Sequence, residues 1–106
     1  MGCELHCGEK RLNWSKPSYW IMAICRPFNP KTPEFYEFDD SYYPEVPTYQ
    51  TGIAPQAVIK ALSTVPEKFT DLPDCWRRLL SEDEFTRAMD FLRYCAEHQQ
   101  SILCSH

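Results

Sequence analysis

A chain of 106 residues holding 11 Lys and Arg against 15 Asp and Glu, net charge −4, is the length of one ordinary domain. Its 43% hydrophobic and 14% aromatic content is too high for a disordered polyanion, so the chain is expected to fold. Residues 1–50 carry 5 basic and 7 acidic side chains and residues 51–106 carry 6 and 8; no basic run exceeds Lys10-Arg11 or Arg77-Arg78, which argues against direct nucleic-acid binding.

In chain order, residues 1–16 form an N-terminal segment, 17–50 a hairpin with a Pro-rich acidic aromatic loop, and 51–106 a helical part, all within one domain spanning 1–106. Ser18 to Cys25 is short, aromatic and apolar between Pro17 and Pro27, which reads as a buried strand. Pro27, Pro30 and Pro33 cannot donate to a ladder, so 26–33 reads as a loop, and Glu34 to Asp39 as a second strand. Past Gly52 the pattern turns helical. Pro55 opens a helix near 55–64 that Pro66 ends, Pro73 opens a shorter one near 73–80, and Ser81-Glu82-Asp83-Glu84 is a capping box opening a third over 82–100.

The expected fold is therefore α+β, a small antiparallel hairpin or sheet in the N-terminal half packed under three C-terminal helices. Its expected core is Trp20, Ile21, Ile24, Phe35, Val58, Ile59, Leu62, Trp76, Leu79, Phe85, Met89 and Leu92. Two strands make a marginal sheet, so extra pairing is expected from residues 10–14 or from another copy of the chain as a homodimer.

No apolar stretch reaches the roughly 18–20 residues of a membrane span, and the polar start lacks the pattern of a signal peptide. The expected location is cytoplasmic, where six cysteines are thiols or metal ligands. Cys and His gather toward the ends: Cys3, His6 and Cys7 in one cluster, Cys95, His98, Cys104 and His106 in the other. Four such donors in a tetrahedron would hold a structural zinc, and a zinc-stabilised domain is the alternative reading. The competing reading makes Cys95 part of an apolar helix stripe, Cys25 and Cys75 buried hydrophobes, and the terminal residues frayed ends. Met1-Gly2-Cys3 resembles the dual-acylation start of some membrane-anchored signalling proteins; it departs from that pattern at His6, so no membrane contact is expected unless Gly2 and Cys3 are acylated.

With glycine only at positions 2, 8 and 52, no phosphate-cradling or nucleophile loop can be built, and no catalytic residue is assigned; an enzyme without a recognisable motif is the third reading. The most distinctive segment is 33–47, which joins five aromatic rings to five carboxylates and holds no basic residue. Rings give contact area at low entropic cost and carboxylates steer a basic partner. The leading expectation is a small acidic protein-interaction module of inhibitor, immunity or adaptor type. It would bind a basic protein surface through Tyr36, Asp39, Asp40, Tyr42, Tyr43 and Glu45.

Overall fold

The structure is a computed structural model and describes residues 4–13, 15–30 and 51–105. Glu4-Leu5-His6-Cys7 alternates, and it forms β1 (Glu4–Cys7) with Leu5 and Cys7 fully buried on one face and Glu4 and His6 on the other. Gly8 adopts φ 59°, a left-handed value that favours glycine at the first position of a two-residue hairpin turn. The chain returns as β2 (Lys10–Asn13), with Leu5 opposite Leu12 and Cys7 opposite Lys10. β3 (Thr51–Ile53) and β4 (Ile102–Ser105) complete an antiparallel sheet of order β2-β1-β4-β3. Glu4 thus pairs with Ser105, and the first and last strands lie side by side at the sheet's centre. They are built-in strands, not frayed ends.

The expected strand over 18–25 is overturned: Lys16–Cys25 is α1. Its buried residues, Pro17, Ser18, Trp20, Ile21, Ile24 and Cys25, recur at three and four, while Lys16, Tyr19 and Ala23 face out. A short apolar run fits a buried strand or a buried helix equally well. The local start decides, because Pro17 sits in the first turn, where its missing N–H is not needed, and the Ser18 hydroxyl donates to the Asn13 carbonyl at 2.6 Å. No hairpin therefore begins at residue 17; its second expected arm, 34–39, lies outside the described residues. A single 3-10 turn, Arg26–Phe28, follows α1.

The fold class is α+β as expected, with a different sheet. Residues 10–13 do pair, with β1. The other helices are α2 (Pro55–Thr64), α3 (Asp74–Leu79) and α4 (Glu82–His98). At the start of α4 the Glu84 amide donates to the Ser81 hydroxyl at 3.1 Å, and the Ser81 amide donates to the Glu84 carboxylate at 3.0 Å. At its end Gln99 takes φ 49°, and the Gln100 amide reaches back to the Cys95 carbonyl at 3.0 Å.

α4 packs against α1 and α2 and also lies on β1 and β2, so its stripe Phe85, Ala88, Met89, Leu92 and Cys95 links both layers. Of the expected core, Trp20, Ile21, Ile24, Val58, Phe85, Met89 and Leu92 are buried, and Leu62, Trp76 and Leu79 are half-buried against them. Phe35 lies outside the described residues. Ile59 is a correction: it is 48% exposed, because α2 turns Ala57, Val58 and Ala61 inward and leaves Ile59 beyond the edge of that stripe. Trp20 meets Trp76 edge to face with centroids 5.7 Å apart, and Phe85 at 5.8 Å.

Candidate interaction site

The described backbone on either side of residues 31–50 is joined by one side chain, Asn29. Pro30 restricts Asn29 to extended backbone, observed at φ −80°, ψ 131°. Its side chain then donates from Nδ2 to the Gly52 carbonyl at 2.7 Å and accepts from the Ala54 amide through Oδ1 at 2.9 Å. One amide thereby satisfies a donor and an acceptor of the backbone that leads from β3 into α2. Ala54, at the N-cap position of α2, has no side chain to cap the first-turn amides, and what Asn29 satisfies is the amide of Ala54 itself. Residues 31–50 therefore leave and rejoin the described fold beside a single side chain.

This partition also localises the charge. Segment 31–50 contains Lys31 and five carboxylates, a net −4, whereas the remainder of the chain holds ten basic and ten acidic side chains and is neutral. The whole excess of negative charge belongs to the one long insertion. All six expected partner-binding residues, Tyr36, Asp39, Asp40, Tyr42, Tyr43 and Glu45, fall within it and lie outside the described residues.

Of the terminal Cys and His residues, the structure describes the side chains of His6, Cys7, Cys95 and His98. Cys7 ends β1 and Cys95 sits in the last turn of α4; the two are joined as a disulfide with Cα atoms 5.9 Å apart. The sulfurs of a disulfide are not thiolate donors to a metal. His6 points to the opposite face of β1 from Cys7. His98 is exposed at the end of α4, its Nδ1 3.0 Å from the Tyr94 carbonyl and its ring stacked on Tyr94 at 4.2 Å. Lys10 lies over the same Tyr94 ring, its Nζ 5.4 Å from the centroid. Cys104 lies in β4 opposite Leu5, and Cys3 and His106 are outside the described residues. Among the described residues no group of three or more His, Cys, Asp or Glu is placed to hold a metal.

Two cysteines are free among the described residues, Cys25 and Cys75. Burial in the α1 core pushes the Cys25 thiol up to about 12, so it stays protonated; Cys75 on α3 is exposed. Glu84 is held below the usual carboxylate range, first by the hydrogen bond from the Ser81 backbone amide, which marks it as part of the helix cap.

Sequence reasoning missed Asn29 and the Cys7–Cys95 pairing. A signal for Asn29 was present in Asn29-Pro30, a polar residue forced into extended backbone beside a long polar insertion. The pairing of Cys7 with Cys95 had no local signal, since 88 residues separate them. No family model, curated protein or solved structure matches the chain.

Proposed function

We propose that this chain is a small, cytoplasmic, non-catalytic protein-interaction module of inhibitor, immunity or adaptor type. Its segment 33–47 engages a basic surface on another protein. The observation that carries this reading is the coincidence of charge and architecture. The net −4 resides entirely in 31–50, while the body that holds its two ends at Asn29 is electrically balanced. Insertions longer than about 12–15 residues are uncommon in small domains, and when retained they frequently serve binding on a rigid scaffold. Tyr36, Tyr42 and Tyr43 supply ring area, and Asp39, Asp40 and Glu45 supply the field that orients a cationic partner.

The reading is tested by capturing partners from cell lysate on the full chain and measuring the affinity of each recovered protein across a salt series. A basic partner is expected, with affinity falling about tenfold or more, and with a flatter salt dependence, for Asp39→Lys/Asp40→Lys. Unchanged affinity in that double variant would remove the segment as the binding surface.

A further inference from the structure

The sheet places its first hairpin in a particular position: β1 is central, yet it and β2 are joined to the rest of the described fold by chain connection at one end only. At that end the Asn13 carbonyl accepts from the Ser18 hydroxyl at 2.6 Å and from the Ser15 hydroxyl at 3.2 Å, tying β2 to the start of α1. At the opposite end, where Gly8 and Glu9 turn the hairpin, the covalent fastening is Cys7–Cys95 to the last turn of α4, beside the non-covalent contact of Lys10 with the Tyr94 ring. Between them lie the pairing of Glu4, Leu5 and His6 with β4 and the burial of Leu5. Cys7 and Cys95 are each wholly inaccessible to solvent.

We propose that Cys7–Cys95 is a redox-set lock on this hairpin: oxidised, it pins the turn of β1–β2 to α4, and reduced, it lets the hairpin open away from β4 while the helical layer stays folded. Reduction by a dithiol is a two-step exchange. One thiolate of the reductant attacks a sulfur of the pair and forms a mixed disulfide, then its second thiol closes on that bond. Cys7 and Cys95 leave as thiols with two electrons and two protons gained, and the dithiol becomes a disulfide. Because both sulfurs are covered, the reductant reaches them through brief fluctuations of the oxidised fold, so reduction is slow, and once it is complete the hairpin opens without the bond to hold it. In a reducing compartment the hairpin is free, and oxidative conditions fasten it.

Hydrogen exchange on the full chain tests this, with dithiothreitol as the reductant and fragmentation of the unreduced chain to assign the bond. A Cys7–Cys95 bond is expected. Amides of residues 5–12 are expected to exchange about tenfold or more faster in the reduced chain and in Cys7→Ser/Cys95→Ser, with α2 amides unchanged. Equal exchange of 5–12 in all three forms would overturn the lock. So would faster exchange throughout α2, which would make the bond a requirement of the whole fold, and so would fragmentation showing Cys7 and Cys95 unlinked.

Discussion

Cys25 and Cys75 carry the same thiol in opposite surroundings, and their chemistry should divide accordingly. Cys25 is fully buried in α1 and its thiol is pushed up to about 12; a thiolate is the species that alkylates. Brief iodoacetamide treatment of the folded protein near pH 8, read by peptide mass spectrometry, should modify Cys75 and spare Cys25 until the chain is unfolded. Modification of Cys25 at the same rate as Cys75 would contradict its burial. The same shift has a sign in stability. The neutral thiol is favoured in the folded state, so its contribution is complete below the unfolded value of 9.0 and is lost as pH rises from there toward about 12. The sequence showed Cys25 inside an apolar run, and burial followed from that under either secondary structure. Asn29 was harder to read, because what distinguishes it is the Gly52 carbonyl and Ala54 amide it meets, and those depend on where β3 lies.

Among the elements, α4 was the most legible because its signals agree: a capping box, carboxylates in the first turn and an apolar stripe over four turns. Ser81→Ala should cost about 1 kcal/mol of unfolding free energy in urea denaturation, the usual loss for an N-cap hydroxyl. Glu84 adds a pH dependence. Its carboxyl is held below its ordinary value of 4.5, so its stabilisation is present above that value and fades as pH falls through the lower folded-state value. Glu84→Gln should flatten this acid limb, and an unaltered limb would remove Glu84 as its source. α1 was illegible for the opposite reason: seven apolar and aromatic residues between prolines satisfy two periods at once, and what decides is the start at Pro17 and the bond from Ser18 to Asn13, not a period in the run. β1 and β2 carried a readable cue in Gly8 between Leu5-His6-Cys7 and Lys10-Arg11-Leu12, but strands of four residues give too few alternations to fix a period.

At the scale of the whole molecule, the α+β class was legible from composition and helix starts, but the sheet was not. Its four strands come from three distant stretches of the chain, and short strands that pair over such distances leave little periodicity of their own. The architecture makes β4 a central strand despite its place at residues 102–105. Deleting residues 102–106 should therefore abolish the cooperative thermal transition, because it takes the described partner from β3 and removes the fully buried Ile102 from the core shared with the helices. A truncated chain with an unchanged transition would show that β4 adds nothing to the sheet.

That central pairing also orders events during synthesis. β1 and β2 emerge first and can close their hairpin at once, but the second edge of β1 has no partner until residues 102–105 have been made. From the synthesis of residue 13 to that of residue 105 the growing chain carries an open strand edge, the feature most prone to pair with a neighbouring chain. Assembly of this sheet waits on the strand made last of its four, and crowding of ribosomes on one message is the condition under which it should fail first.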